Sequence, residues 1–322
     1  MIRHPSTMAL LCFEASARHG SFTRAAQELH LTQGAVSRQV IGLEARLDVP
    51  LFLRRRERLA LTDAGTSYLE EVRGVLQALE RATANLMALK GSGGRLTLSV
   101  ASSLGNHWLI PRLPGFTRDH PEITFNVATR VGPVNFAELA APAVDASLEF
   151  SDGQRTGVVS EYVMPLQLAP YASPGWIRQH LGRGARSPGL RTAALKRVAP
   201  SSLIHHTTVP HAWSSWTRLA GWSQASGPLG REGPRYDLMS MALNAAVAGL
   251  GVALLPPWMA GDAVAAGRLQ AVSPLHWQAE RAYYLVYPPR HGQAKPLQAF
   301  AAWLQRQAAA DPVAGPKAAQ AT

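Results

Sequence analysis

Four polar residues at close spacing, Gln33, Ser37, Arg38 and Gln39, carry side chains able to read or grip a nucleic acid. A guanidinium donates a fork of hydrogen bonds to guanine, a primary amide both donates to and accepts from adenine, and a hydroxyl donates to a phosphate oxygen. They are interleaved with Val36, Val40, Leu43 and Leu47, whose steps of four, three and four make one apolar stripe on a helix of period 3.6. The stripe predicts a helix with one face in a core and the polar set facing out. Thr32 precedes the pattern and is placed to cap it by accepting a hydrogen bond from a first-turn amide.

Positioning this helix requires neighbours, and the sequence supplies them. Upstream, Ala25, Ala26 and Leu29 suit the close approach of a second helix, with Ser21 as its cap behind Gly20, which ends a first helix over 10–19. Downstream, PLFLRRRERLALT over 50–62 has a strand-like start, then Arg54, Arg55, Arg56 and Arg58, then the alternating Leu59 and Leu61, the pattern of a short two-stranded wing. An amphipathic hairpin with a solvated face would show the same polar residues. An arginine cluster directly after a helix-turn-helix favours contact with a phosphate backbone or minor groove. Residues 1–62 thus read as an all-α winged helix-turn-helix, with Thr32, Gln33, Ser37, Arg38, Gln39 and the four arginines as its DNA-binding candidates.

The run FTRAAQELHLTQGAVSRQVIGLEARLDVPLF followed by LTDAG resembles the N-terminal domain of LysR-type transcriptional regulators. HWLIPRLPGF, VDASLEF, ALNAAVAGLGVALLP and YYLVYP carry the resemblance through the rest of the chain, toward the branch holding the glycine-cleavage and β-lactamase-inducing regulators. Glu57 followed by Arg58 departs from that branch at the wing tip. The resemblance implies a linker helix paired across a dimer, or a dimer of dimers, and two recognition helices on an interrupted palindrome in double-stranded DNA. It also implies a periplasmic-binding-protein-like effector domain, and it suggests contact with RNA polymerase.

Between 63 and 90 there is no proline, and Leu69, Val72, Leu76, Leu79, Thr83 and Leu86 recur at the a and d spacing of a two-stranded coiled coil. This predicts a linker and dimerisation helix of roughly 40 Å at about 1.5 Å per residue; the alternative is an amphipathic helix packed on its own domain. GSGG over 91–94 reads as a hinge. Beyond it, strands are expected at 96–101, 123–129, 145–150, 158–163, 169–172, 203–206, 252–255 and 282–287. Helices are expected at 106–118, 135–139, 213–219, 238–248 and 297–309. The βαβ order predicts a mostly parallel α/β architecture of two lobes over 91–310, lobe 1 from 95–163 and 266–310, lobe 2 from 164–265, with a cleft between them. Residues 311–322 read as a disordered tail.

Ligands of open parallel sheets lie outside the carboxyl ends of the strands. That rule selects Ser102, Ser103, Thr129, Arg130, Phe150, Ser151, His206, Thr207 and Thr208 as effector-binding candidates, the positions the resemblance also implies. Any one such hydroxyl is as readily a local cap. Trp108, Trp213, Trp216, Trp222 and Trp258 are read as packing.

The net charge of +11 suggests a polyanion partner, but residues 1–91 hold 12 Lys or Arg against 9 Asp or Glu, so +8 lies downstream. The acid-free run 178–197, with Arg183, Arg186, Arg191 and Lys196, reads as a solvated loop. One cysteine, Cys12, makes no internal disulfide. With no signal-peptide pattern and no stretch of 18 apolar residues, a cytoplasmic protein without a membrane partner is expected, which argues against an exported solute-binding protein. Phosphate-loop, GxSxG, HExxH and metal-spacing motifs are absent, so no enzyme, cofactor or metal is expected, only a small-molecule effector. An architectural or ligand-independent DNA binder is the alternative, and it leaves the two lobes without a purpose.

Overall fold

The computed structural model describes residues 4–55, 58–88, 94–129, 132–136, 144–182, 184, 186–222 and 232–311. The chain divides into two compact units, Met1–Arg95 with Asn135–Val144, and Leu96–Val134 with Asp145–Thr322.

The first unit is built on helices α1 (Thr7–His19), α2 (Phe22–Glu28) and α3 (Gln33–Leu47). α1 starts earlier than its apolar pattern because the Ser6 side chain accepts the Ala9 amide, and it ends on Gly20 at φ 58°, a left-handed conformation that glycine adopts without strain. Ser21 and Thr32 cap α2 and α3 as expected. Val36, Val40 and Leu43 are buried against Cys12, Phe13, Ala25 and Ala26. The wing pairs β1 (Phe52–Arg55) with β2 (Arg58–Leu61), Arg55 opposite Arg58; Arg56 and Glu57 lie outside the described residues. Glu44 on α3 accepts the amides of Leu51 and Phe52 at 2.8 and 3.0 Å, fastening the wing to that helix.

Helix α4 (Asp63–Ala88) follows. Thr62 opens it by accepting the Gly65 amide at 2.9 Å and donating to the Pro50 carbonyl at 2.8 Å. A Cβ on residue 65 would lie 2.1 Å from the Leu51 carbonyl oxygen, which explains the glycine of LTDAG. The dimer-seam expectation needs correction for half its residues. Leu69, Val72 and Leu76 are 7%, 2% and 8% exposed because they pack into this unit's own core, so they have no surface left to bury against a second chain. Leu79 is 47% exposed and Thr83 is exposed, while the side chain of Leu86 lies outside the described set. The hinge residues 91–93 also lie outside it.

The second unit is a mixed sheet in the order β4-β3-β5-β11-β6-β9-β7-β8, with β10 beside β6. Its first lobe holds β3 (Arg95–Val100), α5 (Ser102–Leu104), a π-helical turn (Gly105–Leu109), α6 (Leu113–Asp119), β4 (Thr124–Thr129) and β5 (Ala146–Ser151). The expected helix 106–118 starts earlier and splits in two, with Pro111 and Pro114 unable to donate ladder hydrogen bonds at the break. Of the expected helix 135–139, residues 137–139 lie outside the described residues. The chain then runs through β6 (Val159–Ala172), α7 (Pro174–His180), α8 (Pro188–Leu195), β7 (Leu203–His206), α9 (Ala212–Leu219), β8 (Arg235–Tyr236), α10 (Met239–Val247), β9 (Val252–Leu255), α11 (Pro257–Ala265) and β10 (Gln270–Ala271). β11 (Trp277–Tyr287) and α12 (Lys295–Ala310) complete it.

Three expectations change here. The two strands expected at 158–163 and 169–172 are one, β6, which pairs with β11 along its first part and with β9 and β10 at its end. The lobe boundary near 163 therefore falls inside a paired strand. The sheet is not mostly parallel: β11 runs antiparallel to both β5 and β6, and β6 antiparallel to β9, while β3–β5, β7–β9 and β7–β8 are parallel. Pro165 is tolerated in β6 because it faces Ala282 at a register shift, where a missing donor breaks no regular ladder. The supposed loop 178–197 contains α8, held by buried Leu195 and by Arg191, which donates to the Ala271 and Arg186 carbonyls.

Asp311 is not part of a free tail. It is 6% exposed, accepts from the Trp108 indole at 2.8 Å and pairs with Arg112 at 3.2 Å, so it locks the end of α12 onto the first lobe. Residues 312–322 lie outside the described set. Asp311→Ala leaves the buried Trp108 indole N–H without its acceptor and takes away the carboxylate partner of Arg112, which keeps only the Trp108 carbonyl, and should cost about 2–3 kcal/mol. Chemical denaturation monitored by tryptophan fluorescence checks this; a midpoint equal to wild type contradicts the anchor.

Candidate functional site

A cavity of about 560 Å³ opens in the second unit at the carboxyl ends of its parallel strands. Ser102 and Ser103 after β3, Thr129 ending β4, Phe150 and Ser151 ending β5, and His206 and Thr208 at the end of β7 all line it. Thr207 does not; its amide instead completes the pairing with β8 by donating to Tyr236 at 3.0 Å. Arg130 lies outside the described residues. The strand-end rule missed Tyr283 and Arg281, because β11 runs antiparallel to β5 and brings its early residues to the edge where β5 ends. Ala282 faces Ser151 and Tyr283 faces Phe150. Glu149 and Asp237 were also missed, and no spacing in the sequence marks them.

The lining is chemically mixed. Tyr283 is 5% exposed and packs at 5.5 Å from the Phe150 ring and 6.3 Å from the Trp258 ring. Its phenol has no hydrogen-bond partner among the described residues, and burial pushes its pKa up, so it is a neutral donor facing the cavity. Arg281 donates to the Phe150 carbonyl at 2.8 Å and lies 4.9 Å over that ring. Glu149, also lining the cavity, accepts the Val134 amide at 2.9 Å and pairs with Arg155 at 3.3 Å, so its charge is answered. Leu238 at the N-cap of α10 supplies no capping side chain. The Ser240 amide of that first turn is taken by the Ser103 hydroxyl at 3.2 Å, a hydrogen bond from one lobe to the other.

On the first unit, Gln33 and Arg38 are exposed on α3 while Ser37 and Gln39 are half-buried. The Thr32 hydroxyl is committed to its cap at 3.2 Å. Arg18 and Arg73 are ion-paired with Glu14, and Arg18 also with Glu28, whereas Arg38 carries no ion pair among the described residues. Arg54, Arg55 and Arg58 stand on the wing strands nearest the turn.

An outward polar helix joined to a basic wing, in a chain that also encloses a ligand-sized cavity, defines a ligand-responsive DNA-binding protein. Two family descriptions match the chain: "Bacterial regulatory helix-turn-helix protein, lysR family" over residues 8–66 and "LysR substrate binding domain" over 90–309. The glycine cleavage system transcriptional activator of Escherichia coli is 34% identical over 316 residues, covering 96% of both chains. The regulator TrpI of Pseudomonas aeruginosa is 35% identical over 275 residues, covering 83% of this chain and 86% of its own. Among solved structures, the effector domain of AmpR from Pseudomonas aeruginosa matches with a TM-score of 0.54 at 25% identity, over 67% of this chain and 95% of that one. Full-length AphB of Vibrio cholerae matches in fold with a TM-score of 0.55, at 18% identity and over 93% and 98%. The chain belongs to the LysR family of transcriptional regulators. It is a DNA-binding regulator modulated by an effector, of a bacterial type whose members form homo-oligomers. Among the described residues no helix is long and apolar enough to cross a membrane.

Three histidines of the second unit, His107, His205 and His206, are held below the ordinary histidine range, in each case chiefly by burial. His206 accepts the Thr208 amide on Nδ1 at 3.2 Å, and His205 Nε2 meets the Glu232 carbonyl at 2.9 Å. Because the unfolded chain takes up protons that the native state refuses, stability is full above the unfolded histidine pKa and falls as pH drops through it toward the lowered native values. Denaturation at pH 7.5 and 5.5 should give a lower midpoint at 5.5, with a smaller difference in His205→Gln; an equal difference in both proteins contradicts this account.

Proposed function

We propose that the cavity takes a small molecule rich in hydrogen-bond acceptors, a carboxylate above all, and that its occupancy sets the regulator's action on DNA. The observation that carries this reading is the convergence of donors: the Tyr283 phenol, the Ser102 and Ser103 hydroxyls, Arg281 and the start of α10 meet at one cavity whose wall also holds apolar Leu104, Leu166 and Met239 and the carboxylates Glu149 and Asp237. Such a mixture of apolar wall and few oriented polar groups suits a small metabolite. Thr129, Phe150, Ser151, His206 and Thr208 complete the effector-binding set. A ligand acceptor that takes the Ser240 amide displaces Ser103 and alters the balance between open and closed lobes. The change is passed to paired DNA units and alters DNA bending or contact with RNA polymerase. The ligand is bound and not converted, no cofactor takes part, and the protein works in the cytoplasm.

On DNA, Gln33, Ser37, Arg38 and Gln39 meet base edges and phosphates, and the wing arginines Arg54, Arg55, Arg56 and Arg58 follow the backbone. The far half of α4, with Leu79, Thr83 and Leu86, pairs with a second copy, which sets the spacing of an interrupted palindrome.

Arg38→Ala should weaken binding to the specific site by about 1–3 kcal/mol, the value of one bidentate base contact, with thermal stability unchanged. Footprinting on DNA upstream of the chain's own gene reads this out, and an unaltered footprint removes Arg38 from the reading set. Thermal-shift screening against small carboxylates should find a stabilising ligand whose effect shrinks in Tyr283→Phe, a change that deletes one hydroxyl. A full shift at unchanged ligand concentration in that variant places the effector elsewhere.

A further inference from the structure

From residue 162 to residue 231 the sequence has no Asp or Glu, yet it holds Arg178, Arg183, Arg186, Arg191, Lys196, Arg197, Arg218 and Arg231. That segment accounts for the whole +8 excess downstream of residue 91, since the remainder of the downstream chain is balanced. Outside that segment Arg18, Arg73, Arg112, Arg118 and Arg155 each have a carboxylate partner. In the basic segment Arg178, Arg186, Lys196, Arg197 and Arg218 are exposed and have no ion pair among the described residues. Exposed cations without a carboxylate partner are suited to an anionic partner.

These charges are held in place. Helix α8 is capped by Ser187, buried at Leu195 and tied to β10 through Arg191. Arg186 stands before its first turn and Lys196 and Arg197 directly after its last. Cations therefore mark both ends of an eight-residue helix, about 12 Å apart at about 1.5 Å per residue, a span of several phosphates of one DNA strand.

We infer that this face of the second lobe is a further contact surface for the DNA backbone, separate from the winged helix-turn-helix. The inference rests on the chain being a DNA-binding regulator, because DNA held by the first unit presents phosphates to the rest of the same molecule at high effective concentration. Contact here is independent of sequence and adds to the salt dependence of binding.

The test uses the full chain, a mixed-sequence duplex of about 80 base pairs, and anisotropy titrations between about 50 and 200 mM salt. The triple variant Arg186→Gln, Lys196→Gln, Arg197→Gln is compared with a control of equal charge, Arg118→Gln, Arg290→Gln, Lys295→Gln, and melting temperatures verify that both are folded. The slope of log affinity against log salt should become shallower by about 0.9 for each phosphate that is no longer neutralised, about 2–3 in all, in the first variant alone. An unchanged slope, as expected if the partner is an acidic protein, or an equal change in both variants overturns the inference. A wild-type chain that fails to bind any duplex would instead remove the DNA-binding reading beneath it.

Discussion

The pairing of β6 with β11 is the constraint on which the second unit depends. β11 returns from the far end of the chain, inserts between β5 and β6, and runs antiparallel to both. β6 in turn continues past it to β9 and β10, so one strand belongs to both lobes. Strands that cross in this way can bend and twist at their register shifts, here between Gln278 and Ala282 and between Tyr283 and Tyr284, without losing the ladder. The cavity sits beside these shifts, with Arg281 and Tyr283 in its wall. Cavity-lining side chains and register shifts therefore lie on the same strand.

A comparable economy governs α4. Its first half completes the core under the helix-turn-helix, and its second half is left with exposed Leu79 and Thr83. A helix rooted by Leu69, Val72 and Leu76 moves with the recognition helix as one body, since packed cores resist gradual deformation.

Much of this was legible in the residues. The caps Ser21 and Thr32, the stripe through Val36, Val40 and Leu43, and the wing between Phe52 and Leu61 obey local rules, because capping, period and hairpin pairing involve neighbours in sequence. The strand-end residues Ser102, Ser103, Thr129, Phe150, Ser151, His206 and Thr208 followed from one topological rule. What the rule missed, Tyr283 and Arg281, came from a strand whose direction the rule did not anticipate. A heptad pattern likewise records which side of a helix is apolar and not which surface covers it, so Leu69, Val72 and Leu76 matched a seam while belonging to a core.

The sequence by itself determined the element types of the first unit, the polar set on α3, the family and the strand-end hydroxyls, because each rests on short-range periodicity or on a long motif. Tertiary structure alone decided the continuity of β6, the antiparallel return of β11 beside it, the Ser103 to Ser240 hydrogen bond and the burial of Asp311 against Trp108 and Arg112. The last three join residues more than a hundred positions apart. Whether such distant groups meet depends on how the whole chain closes, a property that no local pattern carries.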